Sequence, residues 1–352
     1  MSRISTRALV ACLVASLSGC SYGPAANQTT LPSAQARRPA SSTASQENVY
    51  ILNDPYHGPE YVSVYANGTS RVLYRIKNGA ASAVAMLLDP TGNVYLWNYL
   101  EAYNPLTSVI VIAANTNKRL YTIDGGQNPQ GRPAIDRQGN LYVPLIKKPQ
   151  IFVYTAGTRK LSRKIHTAVP FYAPMVFDSQ NNLYILTSDS TVVEYAAGTD
   201  RQIRTVNVGK NSFEMVFDAS DNLYVLGFPQ SSQKCAIEVF PPNATVPSLT
   251  IAEGLSKSHA MAFDSGGDLF VLNANDITAY HPGTTSPYLT FNRNNAGESY
   301  MAIDSSNNLY VTAATGGHFN LGYFKVFDLG SGKLLRTVSR DVNGPFGFAI
   351  GP

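Results

Sequence analysis

The chain has 352 residues, of which 44% are hydrophobic, 11% aromatic and only 14% charged, with a formal net charge of +4. Charged residues are well below the usual quarter, and no run of Lys/Arg exceeds a pair such as Arg37-Arg38 or Lys147-Lys148, which excludes a nucleic-acid-binding footprint. The length could hold two ordinary domains, but one recurring phrase runs to the carboxyl terminus and argues for a single large all-β unit.

Residues 1–19 read as an export signal. Arg3 and Arg7 form its basic head, and Ala8 to Leu17 form an apolar core too short to span a membrane. The segment closes on Leu17-Ser18-Gly19-Cys20, which resembles the bacterial lipobox. That resemblance implies that Cys20 is acylated on its thiol, as with palmitate, and becomes the new amino terminus of an exported, membrane-anchored chain. Ser21 behind it, in place of an acidic residue, implies sorting to the outer membrane where the cell has one. The alternative is a plain secretory signal in which Cys20 is incidental. Cleavage would remove Arg3, Arg7 and Cys12 and leave a formal charge of about +2. Only Cys20 and Cys235 would remain, so no internal disulfide is expected and Cys235 reads as a small buried hydrophobe. Residues 20–47 are rich in Ser, Ala, Pro, Gln and Thr, carry no apolar periodicity and read as a disordered tether with an r.m.s. span of roughly 30 Å.

From Asn48 onward the same phrase occurs seven times, as Asn48-Val49-Tyr50-Ile51, Asn93-Val94-Tyr95-Leu96, Asn140-Leu141-Tyr142-Val143, Asn182-Leu183-Tyr184-Ile185, Asn222-Leu223-Tyr224-Val225, Asp268-Leu269-Phe270-Val271 and Asn308-Leu309-Tyr310-Val311. Its aromatic position recurs at intervals of about 40 to 47 residues, the length of one four-stranded propeller blade. Six copies carry an aspartate four residues earlier (Asp89, Asp136, Asp178, Asp218, Asp264 and Asp304), with Gly, Asn or Asp filling the last turn position. A type I turn followed by a residue of positive φ has these requirements, and the leading carboxylate can accept a backbone N–H. The spacing lacks the alternating oxygen ligands of an EF-hand loop, so the aspartates read as turn chemistry. A third-strand motif follows each triplet, as in Val192-Val193-Glu194-Tyr195, and most copies continue into an outer strand such as Arg201 to Val206. Residues 48–352 are therefore expected to form a seven-bladed all-β propeller. Gly347-Phe348-Ala349-Ile350 aligns with inner strands such as Met301-Ala302-Ile303, so the carboxyl-terminal strand should close the ring on the amino-terminal blade.

The pattern carried best by Pro345 to Ile350 and by Asp136 to Val143 resembles the NHL repeat and its streptogramin-lyase-like and SMP-30/gluconolactonase-like relatives. The resemblance covers about residues 48–352 and rests on structural motifs, so it informs fold more than function. The export signal, tether and repeats, without a catalytic signature, read first as a non-enzymatic scaffold that binds an envelope protein, peptide or glycan; the resemblance implies the alternative, a metal-dependent lactonase or C–O lyase. The scaffold needs no cofactor, whereas the lactonase would need a divalent metal. The chain is expected to be monomeric apart from such partners.

Loops entering the inner strands, and those joining second to third strands, share the face where propellers usually bind ligands. Aromatic and histidine residues there, Tyr56, His57, Trp97, Tyr172, His318 and Phe319, are the candidate binding set, because rings around a central mouth can stack a sugar or anchor a partner. Glu214, His259 and Glu298 stand four to six residues ahead of a repeat aspartate and could point toward the axis as an acid/base or metal-binding trio. None belongs to a spaced signature such as His-x-x-x-His, and the chain has no Gly-x-Ser-x-Gly elbow. Solvated loop residues are the plainer reading of the trio.

Overall fold

The computed structural model describes residues 27–28, 47–55, 58–99, 106–127, 133–145, 149–167, 174–228, 234–293, 300–315 and 321–352. The export signal, Cys20 and nearly all of the 20–47 segment lie outside the described residues. Within them the chain forms seven sheets, each with four antiparallel strands in radial succession. Blade 4 shows the unit: inner strand Met175–Phe177, then Leu183–Leu186, Thr191–Tyr195 and outer strand Gln202–Asn207. Blades 2, 3, 5, 6 and 7 repeat it over residues 83–127, 134–166, 210–251, 260–292 and 301–338.

Blade 1 is assembled from both ends of the chain. Its inner strand is Pro345–Gly351, which pairs antiparallel with Asn48–Asn53 through Val49 opposite Ile350 and Ile51 opposite Phe348. Tyr61–Ala66 and Val72–Ile76 complete it. A two-residue parallel bridge, Asn27–Gln28 against Gly347 and Phe348, lies on the free edge of the inner strand. The molecule is thus a seven-bladed propeller closed by its carboxyl-terminal strand, as the repeats imply.

Each inter-blade seam holds one apolar cluster, and the seven clusters account for seven seams. The seam between blades 7 and 1, for example, brings Tyr310, Phe324 and Val326 against Val49, Ile51 and Phe348. The repeat tyrosines explain why this works: Tyr142, Tyr184 and Tyr224 project from second strands onto Phe177, Phe217 and Phe263, each of which ends the inner strand of the next blade. The rings meet edge-on at 4.9, 4.8 and 4.9 Å. Such pairs contribute about 0.5–1.5 kcal/mol each beyond area burial. Strand alternation sends one set of side chains into each neighbouring seam, so both faces of a blade read as apolar.

The aspartate turns follow a common plan. In blade 3 the Oδ1 of Asp136 accepts the N–H groups of Gln138 (3.0 Å) and Asn140 (2.8 Å), and Oδ2 accepts Asn140 Nδ2 (2.9 Å) and the Tyr142 hydroxyl (3.2 Å). Asp178 and Asp304 repeat all four contacts. The last turn residue is left-handed in all six copies, with φ of 85° at Gly92 and Gly139, 67° at Asn181, 60° at Asp221, 90° at Gly267 and 59° at Asn307. Where that residue is Asn or Asp, its side chain also reaches back to the preceding blade. Asn181 accepts from the Arg137 N–H, Asp221 from Ser179 and Asn307 from Ser265. Blade 1 lacks the turn aspartate, and Glu47 fills this inter-blade role by accepting the Ser305 N–H at 3.0 Å.

Candidate functional site

Strand order and register fix two unlike faces. Connections from first to second strand span five residues in blades 2 to 6 and four in blade 7, and those from third to fourth strand, on the same face, span five to eight, whereas those at the opposite end run from two to eight. The ring of first-to-second-strand turns around the axis is set by the repeat. The variable face is where the candidate residues belong by register.

Of the candidate binding residues, Tyr56, His57, Tyr172, His318 and Phe319 lie outside the described residues, as does Glu298. Trp97 does not behave as a loop aromatic. It sits on the second strand of blade 2, Val94–Tyr99, is 3% exposed and packs in the seam between blades 2 and 3. The strand runs three residues past the repeat triplet, and alternation carries the ring into the core, so Trp97 has no face for a ligand. Cys235 is buried in the seam between blades 5 and 6, the hydrophobe its sequence context implies.

Glu214 and His259 take comparable places at the loop-face ends of adjacent inner strands. Glu214 lies within Lys210–Phe217 of blade 5, opposite Leu226, and is 1% exposed. His259 immediately precedes Ala260–Phe263 of blade 6 and donates its N–H to the Leu272 carbonyl at 3.0 Å. Its Nδ1 lies 3.1 Å from the Lys257 carbonyl, while Nε2 is buried with no hydrogen-bond partner. Burial lowers the imidazole pKa below its ordinary value, the Lys257 carbonyl opposes the shift, and Arg293 adds to the lowering. A neutral imidazole with an uncommitted nitrogen can accept a proton or a metal.

Sequence reasoning missed the polar groups around this histidine. Asn273 is wholly buried: its Nδ2 donates to the Gly254 carbonyl (2.9 Å) and to Asp276 Oδ1 (2.6 Å), and its Oδ1 accepts from the Ser258 hydroxyl (2.5 Å). Arg293, 2% exposed, donates through Nε to the Ala274 carbonyl at 2.8 Å. Lys325 of blade 7 donates to the Arg293 carbonyl at 2.9 Å and lies 5.3 Å from the centre of the Tyr323 ring. Burial lowers the pKa of both cations; Asp276 opposes the shift at Arg293, whereas Arg293 itself adds to the lowering at Lys325. These groups come from separated segments of two blades, and no spacing in the chain announces them. Among the described residues no three His, Cys, Asp or Glu side chains are placed to hold a metal ion.

The opposite face holds one irregularity. Blade 6 replaces the repeat asparagine by Asp268, whose Oδ1 lies 3.0 Å from His281 Nδ1 and whose Oδ2 accepts the Tyr288 hydroxyl at 2.9 Å. The His281 and Tyr288 rings stack at 3.9 Å. The carboxylate introduced by Asp268 thereby gains two donors that the other blades do not need.

Fold and site together define a closed, seven-bladed β-propeller with one repeat-determined and one variable face. No family model matches the chain, and no curated protein does. Among solved structures the chain is similar to a functionally unknown protein from Desulfotomaculum acetoxidans DSM 771, with a TM-score of 0.67 and 13% identity over 87% of this chain and 99% of that one. At that identity the likeness concerns fold alone. No helix among the described residues is long and apolar enough to cross a membrane.

Proposed function

We propose that this chain is an exported lipoprotein, anchored through Cys20 to the cell envelope and to the outer membrane where one exists. Its NHL-like propeller serves as a non-enzymatic scaffold that binds a protein, peptide or glycan. The observation that carries the scaffold reading is the contrast around the axis: first-to-second-strand turns of near-constant length on one face, connections of two to eight residues on the other. A rigid ring with one freely varied rim of loops is the arrangement on which binding sites are commonly built. The turn carboxylates are occupied by backbone donors of their own turns.

Photo-crosslinkers placed at His57, Tyr172 and His318 should trap a discrete partner in the native envelope, while crosslinkers at Ser220 or Thr245 on the turn face should not. Trapping only from the turn face would refute the choice of surface. For the anchor, Cys20→Ser should abolish the acylation seen by mass spectrometry, and an unaltered chain that carries no acyl group on Cys20 would refute it.

A second reading, a metal-dependent lactonase or C–O lyase, draws on one observation, the buried and unpartnered Nε2 of His259. The described residues do not supply a metal-binding trio beside it. A stoichiometric divalent ion in the purified protein, lost in His259→Ala, would favour the lactonase reading over the scaffold.

A further inference from the structure

The outer strands carry a regularity that the propeller fold does not require. In blades 7, 1, 2, 3 and 4, which are consecutive around the ring, the residue just before or at the start of the outer strand is basic: Lys333, Arg71, Lys118, Lys160 and Arg201. Each is held in the same turn. Its backbone N–H donates to the hydroxyl two residues earlier, that of Ser331, Thr69, Thr116, Thr158 or Thr199, at 3.3, 3.0, 3.0, 3.1 and 3.1 Å. Its carbonyl accepts the N–H that follows the third strand. All five side chains are exposed, and none forms an ion pair among the described residues.

An aliphatic residue follows each cation within two positions: Leu334 and Leu335, Leu73, Leu120, Leu161 and Ile203, each 37% to 47% exposed. Isolated apolar side chains on a surface are ordinary; the same one beside a fixed cation in five successive blades is not. In blades 5 and 6 the cation's place is taken by Val246 and Ser286. The charge of the molecule divides accordingly. Residues 205–300 carry four Lys/Arg against nine Asp/Glu, while 47–204 and 301–352 together carry nineteen against fourteen. Within the arc Asp341 pairs with Arg75 and Glu194 with Arg204, and Asp200 adjoins Arg201. The turn aspartates on the same face lie nearer the axis, with their oxygens committed to backbone donors.

We propose that this arc, blades 7 and 1 to 4 at the outer rim of the turn face, docks the propeller on an anionic lipid bilayer. Charge complementarity brings the five cations to the headgroups, and the adjoining Leu and Ile side chains enter the boundary between headgroup and acyl chain. The aliphatic partners favour a bilayer over a soluble polyanion, which would offer them nothing apolar. The acidic sector of blades 5 and 6 tilts away, and the variable loop face is left pointing outward. The inference stands apart from lipidation, because it requires no acyl chain.

The test uses the full chain carrying Cys20→Ser, sedimented with vesicles of phosphatidylcholine alone or of phosphatidylcholine with phosphatidylglycerol. The difference between the two vesicle types cancels the apolar contribution of residues 8–17, and Arg3, Arg7, Arg37 and Arg38 are common to the arc and control variants. The expected result is binding to the anionic vesicles that weakens as salt rises, with at least about a tenfold loss for Lys333→Glu, Arg71→Glu, Lys118→Glu, Lys160→Glu and Arg201→Glu combined. Lys210→Glu, Lys234→Glu and Lys257→Glu combined should change binding less than about twofold. Because the five-site variant could fail to fold, Leu73→Ser, Leu120→Ser and Ile203→Ser combined supply a second readout: the excess binding to anionic over neutral vesicles should fall. Equal binding to both vesicle types, equal losses in arc and control variants, or capture by soluble polyphosphate without vesicle binding would each overturn the proposal.

Discussion

A single aspartate organises each turn, and the six copies differ in how deeply they are committed. Asp136 is 2% exposed, and besides its four contacts within the turn it accepts Asn181 Nδ2 from the next blade at 3.3 Å. Asp264 is half-buried, and its Oδ1 accepts only the Gly266 and Asp268 N–H groups, at 2.8 and 2.9 Å, because blade 6 has no repeat asparagine to add. Replacing Asp136 by Ala takes the acceptor from two backbone donors, a tyrosine hydroxyl and two amides, the hydroxyl and the Asn181 amide at buried contacts. The expected loss is about 3 kcal/mol in chemical denaturation, against about 1 kcal/mol for Asp264→Ala, where solvent replaces the lost acceptor. Equal losses would mean that the turn alone, without its inter-blade contacts, sets the value of the carboxylate.

The second strand carries the buried aromatic of each blade, and this gives the molecule an alkaline limit. Burial raises the pKa of Tyr224 and Tyr310 to about 12, with Asp218 and Asp304 adding to the shift. Burial raises the pKa of Tyr50, Tyr95, Tyr142 and Tyr184 as well. A phenol whose folded pKa exceeds the ordinary value near 10 holds its proton more tightly when folded. Its contribution is therefore fully present below pH 10 and is lost as pH rises through about 12. Stability should be insensitive to pH through the neutral and mildly alkaline range as far as these groups are concerned. Above pH 10 it should fall steeply, with phenolate absorbance appearing together with the loss of β circular dichroism. Phenolate forming well before unfolding would show that the rings are accessible in the native ring.

These strands were also the most legible part of the chain. Tyr142, Tyr184, Tyr224 and their equivalents lie at fixed distances from a turn residue, so local spacing carries the information and the blade count follows from it. Trp97 reads as a loop residue because it stands directly after the triplet, and only the observed length of Val94–Tyr99 places it in the core. The buried group around His259 was not legible at all. Asn273 bonds back to Gly254 and Ser258, and Lys325 of blade 7 reaches the Arg293 carbonyl of blade 6, contacts between residues well apart in the chain that leave no period behind. The inter-blade role of Asn181, Asp221 and Asn307 was partly hidden for the same reason: positive φ explains Asn or Gly equally well, and only the neighbouring turn distinguishes them.

At the scale of the ring, stability rests on a seam that joins the two ends of the chain. Pro345–Gly351 pairs with Asn48–Asn53, the Tyr50 hydroxyl donates to the Pro352 carbonyl at 2.9 Å, and the Tyr65 hydroxyl donates to the Arg340 carbonyl at 2.6 Å. Phe348 and Ile350 face the blade 7 seam while Ala349 packs toward blade 2, so one strand supplies two cores. Removing residues 344–352 should leave blade 1 without its inner strand, expose an unpaired edge and produce a chain that associates at micromolar concentration, seen as a rise in light scattering. A graded version of the same test uses a single atom. Gly92 has φ of 85°, and a Cβ there would lie 2.7 Å from the Pro352 carbonyl oxygen, whereas Gly139, with the same φ, would meet the Ala156 Cβ at 3.3 Å and the Pro90 Cδ at 3.8 Å. Both Ala variants incur the left-handed backbone penalty of about 1–2 kcal/mol. Gly92→Ala must also push the carboxyl terminus out of its seat. It should therefore unfold at lower temperature than Gly139→Ala and share the truncated chain's tendency to associate; matched melting curves for the two variants would show that Pro352 takes no part in holding the ring shut.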